Sequence, residues 1–219
     1  MNQPPRSSKG LLWTALLLGG ATILLGFLWL TLKAQQAAFG KPLPVYGQVA
    51  DFTLTNQNGH AVSLANLRGL VWVADIIFTR CPGPCLKMTR QMKELEQALP
   101  QKSAAKLITL TTDPDFDTPS VLKAYAERFG ADASRWTFLT GTKKQLGSLA
   151  IDSLKLTAIE KKPQERESPQ DLFVHSTIFV LVDKRGQLRG VFETTGEGIE
   201  PHQVQKEILA AVRRLEHEP

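Results

Sequence analysis

The N-terminal part of the chain carries one long apolar segment. Residues 11–32, LLWTALLLGGATILLGFLWLTL, are 22 residues without a charge. A helix of that length spans roughly 33 Å, close to the ~30 Å hydrocarbon core of a bilayer. The segment is longer than the apolar region of a cleaved signal peptide, and Gln36-Ala37-Ala38 fits a cleavage site poorly. We therefore predict a tail at 1–10, a transmembrane anchor at 11–32 and a linker rich in proline and glycine at 33–47.

The chain after the linker alternates between strand-like and helix-like patterns. Residues 51–55 and 60–64 alternate apolar and polar positions around the turn Asn56-Gln57-Asn58-Gly59, which predicts a β-hairpin. Residues 70–78 form a nearly continuous apolar stretch, typical of a strand buried on both faces. Further strands are predicted at 106–112, 136–139, 176–182 and 187–193, and helices at 85–99, 113–129, 142–150 and 201–215. The charged residues 160–172 are predicted to form an exposed loop.

This order of elements predicts an α/β fold with one central sheet over residues 48–219.

The charge and the cysteine count argue against two classes of protein. Arg6, Lys9 and Lys33 are three of the 26 basic residues, so residues 34–219 carry 23 basic and 21 acidic residues, a net charge of +2. The overall charge of +5 therefore gives little support to a nucleic-acid partner. With only two cysteines, the chain is no disulfide-dense mini-protein.

Both cysteines lie together, Cys81 and Cys85, directly after the buried stretch 70–78. Open α/β sheets place their ligand sites at the carboxyl ends of strands. If the next helix begins within this motif, positions i and i+4 place both sulfurs near one face, and the helix N-terminus favours the thiolate. Thiolates serve as nucleophiles or as ligands for soft metals. Buried structural cysteines and a structural disulfide are the alternatives.

Two thiolates leave most metal sites incomplete, and the sequence offers four histidines. His60, His202 and His217 lie in polar surroundings and are predicted to be surface residues. His175 follows the charged loop and immediately precedes an apolar strand, so it is either a ligand or catalytic residue or an ordinary loop histidine. The residues alone leave both interpretations open.

Three motifs resemble the Sco/SenC copper chaperones, a family with a thioredoxin-like fold behind one membrane anchor. They are Phe78-Thr79-Arg80-Cys81-Pro82-Gly83-Pro84-Cys85, the segment from Thr112-Asp113-Pro114 to Asp117-Thr118-Pro119, and His175-Ser176-Thr177. The similarity covers about residues 48–195. It implies a thioredoxin-like fold with an N-terminal β-hairpin, and it implies that Cys81, Cys85 and His175 bind copper as Cu(I) or Cu(II). It also implies that Asp117 lies beside the site.

The chain departs from the family pattern at some positions. Leu86 stands where the family has a proline after the second cysteine, and Gly83 stands at a frequently acidic position. These changes leave the ligands intact and bear on partner recognition and redox potential. Asp117 has a second interpretation as the N-cap of the helix that starts at Pro119. The charged loop 160–172 is predicted to act as a mobile flap that carries His175.

The resemblance implies a membrane-tethered copper metallochaperone, which is a metal carrier rather than an enzyme. It would deliver copper to the dinuclear centre of a cytochrome c oxidase subunit from the extracytoplasmic side of a bacterial inner membrane. The main alternative is a thiol–disulfide oxidoreductase that uses Cys81 and Cys85 to keep an acceptor's cysteines reduced. A third hypothesis is a redox-signalling protein with the same pair as its sensor.

Overall fold

The structure is a computed structural model that describes residues 8–39, 42–81, 83–166 and 172–218, with only part of the side chains in the first of these ranges. By its internal contacts the chain divides into two compact units, Met1–Pro42 and Leu43–Pro219.

The first unit contains one helix, α1, which spans Ser8–Phe39. It continues past the predicted end at residue 32, because the following lysine, alanine and glutamine residues are good helix formers. Its apolar side chains include Leu17 and Ile23, which are 71% and 74% exposed. Among the residues described, no helix is both long enough and apolar enough to cross a membrane. The anchor at 11–32 stays a prediction.

The second unit contains ten strands and five α-helices among its described residues. The strands are β1 Gly47–Gln48, β2 Thr53–Asn56, β3 Ala61–Ser63, β4 Trp72–Ile77, β5 Lys106–Thr111, β6 Trp136–Thr140, β7 Ala158–Glu160, β8 Phe173–His175, β9 Ile178–Val182 and β10 Gln187–Glu193. The helices are α2 Leu64–Leu67, α3 Pro84–Ala98, α4 Pro119–Arg128, α5 Lys143–Gly147 and α6 Pro201–His217.

Eight of these strands form one mixed sheet in the order β1-β10-β9-β4-β5-β6-β2-β3. The central strands β4, β5 and β6 run parallel, while β9 and β10 continue the sheet antiparallel on one side. On the other side, β2 pairs antiparallel with β6 and with β3. The predicted α/β class and the early hairpin are confirmed. The parallel strands β4 and β5 end at the same edge of the sheet, and this edge carries the cysteine loop.

Two hydrophobic clusters cover the two faces of the sheet. All six residues of β4 are buried, with Val73 and Ile77 in one cluster and Trp72, Ala74 and Ile76 in the other. The first cluster contains residues of α3, α4 and α6 and both cysteines, whereas the second contains residues of α2 and α5. Burial on both faces explains why this stretch is apolar almost throughout.

Arg189 joins both ends of the second unit. This buried arginine pairs with Asp183 at 2.7 Å and with Glu218 at 3.0 Å. It also donates hydrogen bonds to the carbonyl oxygens of Leu43 and Pro44, at 2.9 and 3.1 Å. The N-terminal segment, the turn between β9 and β10 and the end of α6 therefore meet at one side chain.

Local structure differs from the sequence predictions in several places, and one is the start of α4, which lies at Pro119 rather than at residue 113. The predicted helix at 142–150 is shorter, because α5 ends at Gly147 and a π-helical turn, Ser148–Ser153, follows it. The predicted loop at 160–172 borders a separate two-stranded sheet in which β7 pairs antiparallel with β8. A short 3₁₀ helix, Pro163–Glu165, lies between these strands, and residues 167–171 lie outside the described residues.

Candidate metal centre

The cysteine loop connects β4 to α3. Cys81 lies in the loop, while Cys85 is the second residue of α3 and follows Pro84, which occupies the first turn. Proline suits this position because its missing N–H would have no partner in the helix. Pro82 lies outside the described residues. The helix begins within the cysteine motif, as predicted, but only Cys85 belongs to it, because Cys81 lies in the loop before α3.

The two thiols nevertheless lie together. They form no disulfide, they interact through a hydrogen bond, and Cys81 and Cys85 are only 6% and 1% exposed. Burial strongly raises the pKa of Cys85, and the hydrogen bond with Cys81 and the charge of Cys81 raise it further. Burial among the residues of the apolar cluster therefore opposes the thiolate that the helix N-terminus is predicted to favour at Cys85.

Asp75 adds a carboxylate beneath this site. It lies in the middle of β4 and is fully buried. Its side chain lies on the same face of the strand as Val73 and Ile77, which is the face that carries the cysteines. Its charge is a smaller contribution to the raised pKa of Cys85. A charged residue in an otherwise apolar strand is a visible sequence signal, and sequence reasoning missed its place at the site.

Asp117 connects the cysteine loop to the neighbouring strand. Its carboxylate accepts hydrogen bonds from the backbone N–H of Thr79 at 3.1 Å, from the Thr79 hydroxyl, and from the Thr111 hydroxyl at 2.5 Å. Burial raises the pKa of Asp117, although these hydrogen bonds oppose the shift. The N-cap of α4 is Thr118, so the N-cap interpretation of Asp117 is wrong. Asp117 instead holds the residue two positions before Cys81.

Arg80 covers the other side of the loop. Its guanidinium group contacts the carboxylate of Asp113 at 2.5 Å and lies 4.1 Å from the ring centroid of Phe116, which is 40% exposed. Asp113 also initiates the turn, since its carbonyl oxygen accepts from the backbone N–H groups of Phe116 and Asp117. The residue immediately before Cys81 is therefore tied to the segment that carries Asp117.

His175 ends β8, one strand of the two-stranded sheet, and its Cα pairs with that of Ala158. Two residues earlier, the ring of Phe173 packs edge-on against Phe78 with centroids 5.1 Å apart. Phe78 itself lies three residues before Cys81. This ring contact joins β8 to the residue that precedes the cysteine loop.

The structure brings together Cys81, Cys85 and the groups that hold their loop. Among the described side chains, no group of three or more His, Cys, Asp or Glu residues is arranged to hold a metal ion, and the side chain of His175 is outside that set. His60, His202 and His217 are exposed, as predicted. The assignment of His175 as a ligand stays a prediction.

Comparisons with known proteins agree with this architecture. The SCO1/SenC family model matches residues 44–213. The SCO1 protein homolog of Bacillus subtilis is 36% identical over 147 residues, which cover 66% of this chain and 73% of that protein.

Solved structures show the same fold. BsSco is 28% identical to this chain, with a TM-score of 0.64. It is a member of the Sco family of cytochrome c oxidase assembly proteins and contains a disulfide switch. That comparison covers 78% of this chain and 98% of BsSco. Copper-bound ScoI from Bradyrhizobium japonicum is 22% identical with a TM-score of 0.62 over 77% of this chain and 99% of its own. The chain belongs to the SCO1/SenC family and has its thioredoxin-like fold.

Proposed function

We propose that this protein is a copper metallochaperone that binds Cu(I) and Cu(II) through Cys81, Cys85 and His175. The pair of hydrogen-bonded, reduced thiols at the end of β4 is the observation that carries the proposal. Copper is the cargo, and the acceptor is the copper-centre subunit of cytochrome c oxidase. The relationship to BsSco, from a family of cytochrome c oxidase assembly proteins, supports this acceptor.

The donor set suits copper in both oxidation states. Thiolates select Cu(I), and an imidazole keeps Cu(II) acceptable. A closed structural zinc site would need a fourth ligand. Because burial raises the pKa of Cys85, the metal has to displace a proton from its thiol. Copper therefore exchanges with protons at a site that is mostly shielded from water.

The segment at 160–172 acts as a flap. Cys81 and Cys85 are buried, so an acceptor reaches the metal only when neighbouring parts of the protein move. Phe173, which directly follows this segment, packs on Phe78, three residues before Cys81. Hydrogen exchange of residues 158–175 in the presence and absence of copper tests this role. Unchanged exchange on copper binding would contradict it.

Copper titration of the full chain in a non-ionic detergent tests the ligand assignment. We expect Cys81→Ser and Cys85→Ser each to abolish the thiolate-to-Cu(II) charge-transfer band. His175→Ala should weaken Cu(II) binding strongly, while His60→Ala, which changes an exposed histidine, should match the wild type. A charge-transfer band that survives loss of either cysteine would refute the assignment.

A thiol–disulfide oxidoreductase is the second candidate, favoured by the close contact of two reduced thiols. In that reaction the more exposed Cys81 attacks an acceptor disulfide as a thiolate and releases one acceptor thiol. Cys85 then loses its proton and attacks the mixed disulfide, which forms the Cys81–Cys85 disulfide and releases the second acceptor thiol. His175→Ala discriminates, since a reductase keeps its exchange activity in this variant whereas a copper carrier loses Cu(II) affinity.

The uncharged segment 11–32 supports attachment to a membrane. From the resemblance to membrane-anchored copper chaperones we propose that this is the inner membrane, with the second unit on the extracytoplasmic side. Membrane fractions washed with alkaline carbonate test this, since an integral anchor resists extraction. Protease added to intact spheroplasts should then degrade the second unit. Release by carbonate, or protection from the protease, would overturn the respective part of the proposal.

A further inference from the structure

A chain of buried hydroxyl groups reaches the cysteine pair from α4. The Thr89 hydroxyl donates to the carbonyl oxygen of Cys85 at 2.8 Å, and the Thr89 and Tyr125 hydroxyl oxygens are 2.9 Å apart. Because the single hydrogen of Thr89 is used by the Cys85 carbonyl, Tyr125 donates to Thr89. The chain therefore runs in one direction, from Tyr125 through Thr89 to the backbone of Cys85.

These hydroxyls lie in an otherwise apolar environment. Thr89 and Tyr125 are 1% and 5% exposed, and Tyr125 belongs to the same hydrophobic cluster as both cysteines. The Tyr125 ring packs against Phe129 and Phe138 with centroid distances of 4.8 and 6.2 Å. These contacts fix the ring, so the position of its hydroxyl group is determined by the packing of α4 and β6.

The hydrogen bond from Thr89 acts on a helix turn that is weakly defined by itself. A threonine that donates to the carbonyl four residues earlier competes with the helical N–H and tends to bend the helix. Here the bond falls in the first turn of α3, whose N-cap, Gly83, makes no side-chain capping bond. The second hydrogen bond, from Tyr125, fixes the rotamer of Thr89 and therefore the direction in which the Thr89 hydroxyl contacts the carbonyl oxygen of Cys85.

We propose that Tyr125 is a positioning residue for the cysteine pair, acting through Thr89 on the backbone of Cys85. Asp117 holds Thr79 on the other side of the loop, and it immediately precedes the N-cap of the helix that carries Tyr125. Helix α4 and its N-terminal approach therefore hold both flanks of the cysteine loop. The expected effect of Tyr125 on copper binding rests on the proposed function. Its expected effect on the dithiol–disulfide equilibrium of Cys81 and Cys85 does not.

Hydroxyl-deleting substitutions in the full, detergent-solubilised chain test the proposal. Tyr125→Phe and Thr89→Val each remove one hydroxyl from the chain, and Thr89→Ser retains it. Tyr46→Phe is the matched control, because it removes the same atom from a residue that is 56% exposed. Two equilibria are measured: Cu(I) affinity against a chromophoric chelator, and exchange with glutathione. In the second, the dithiol and oxidised glutathione yield the Cys81–Cys85 disulfide and two reduced glutathione molecules.

We expect Tyr125→Phe and Thr89→Val each to weaken Cu(I) binding by about two- to tenfold, the size of one net hydrogen bond. The glutathione equilibrium should shift by a similar factor towards the disulfide, because the hydroxyl chain stabilises the dithiol form. Thr89→Ser should restore wild-type values, and the double variant should be no worse than Thr89→Val alone.

The proposal is overturned if Tyr125→Phe matches Tyr46→Phe in both equilibria, even when its melting temperature falls. A purely structural role gives that pattern, since it lowers stability in every state of the thiols. The glutathione equilibrium is measured without copper, so it tests the positioning role of Tyr125 independently of the metallochaperone proposal. If the wild type binds no copper, the metallochaperone proposal fails while the positioning role is still measured.

Discussion

Removal of the Asp117 carboxylate should destabilise the protein far more than removal of a neighbouring carboxylate. Asp117→Ala deletes the acceptor of three hydrogen bonds that join Thr79 to Thr111. Asp115→Ala is the matched control in the same loop. The Asp115 side chain is 75% exposed and pairs with Lys143 at 2.8 Å, a surface contact worth about 0–1 kcal/mol.

The magnitude follows from which groups lose a partner. The Thr79 hydroxyl is only partly buried, so water can replace the carboxylate there. The hydroxyl hydrogen of Thr111, a residue with no exposed surface, loses its acceptor, and the part-buried backbone N–H of Thr79 loses a hydrogen bond to a carboxylate. An orphaned buried group costs about 1–3 kcal/mol and a hydrogen bond to a charged group contributes about 1.5–3 kcal/mol, which gives a loss of about 4 kcal/mol. Domains of this kind have about 5–15 kcal/mol of stability in total, so the variant should fold with a small margin.

Urea unfolding of the full chain in detergent measures this difference. Trp72 and Trp136 are 1% and 0% exposed, so tryptophan fluorescence reports the transition of the second unit. We expect a lower midpoint for Asp117→Ala with an unchanged slope, and a midpoint near the wild type for Asp115→Ala. If the two variants differ by less than about 0.5 kcal/mol, the size of an ordinary surface effect, the assigned role of Asp117 is refuted.

Three further predictions concern other parts of the molecule. Arg189→Met should cost about 3–5 kcal/mol of unfolding free energy, because it leaves the buried carboxylate of Asp183 without its ion-pair partner, and should expose residues 43–48 to limited proteolysis; equal resistance to protease would contradict this. Phe173→Ala should speed alkylation of the cysteines severalfold, as followed by mass spectrometry, whereas the exposed Val174→Ala should not. Burial raises the pKa of Asp117, so the carboxyl group of Asp117 binds its proton more tightly in the folded protein than in the unfolded chain. The unfolding free energy of the wild type minus that of Asp117→Asn should therefore rise as the pH falls from 7 to 4 in urea titrations, and a difference that falls instead would reverse our assignment.

Most of the fold was predictable because its elements are strongly patterned. The β2–β3 hairpin and the amphipathic helix α6 each show a clear period in the sequence, and the buried strand β4 shows a nearly continuous apolar stretch. The strands β7 and β8 were missed, since each has three residues and lies beside a charged segment. Three residues are too few to establish a period.

The two cysteines of the site were predictable from the sequence, whereas the residues that position the cysteine loop were not. Cys81 and Cys85 stood out by their spacing after a buried strand, yet the helix starts too late to include both. The hydroxyls of Thr79, Thr89 and Tyr125 carry no distinctive pattern, because threonine and tyrosine occur commonly in strands and helices. Their roles depend on long-range packing of α4, which the sequence does not display.

The position of Arg189 has a mechanical consequence. The segment at 43–48 joins the sheet where Gly47 and Gln48 pair with the start of β10, at the edge where β4 begins. The cysteine loop follows the far end of β4, about 20 Å away along six residues. A pulling force on the N-terminal segment therefore acts first on the contacts of Arg189 and on the pairing of β1 with β10, at the end of β4 that is remote from the cysteine loop.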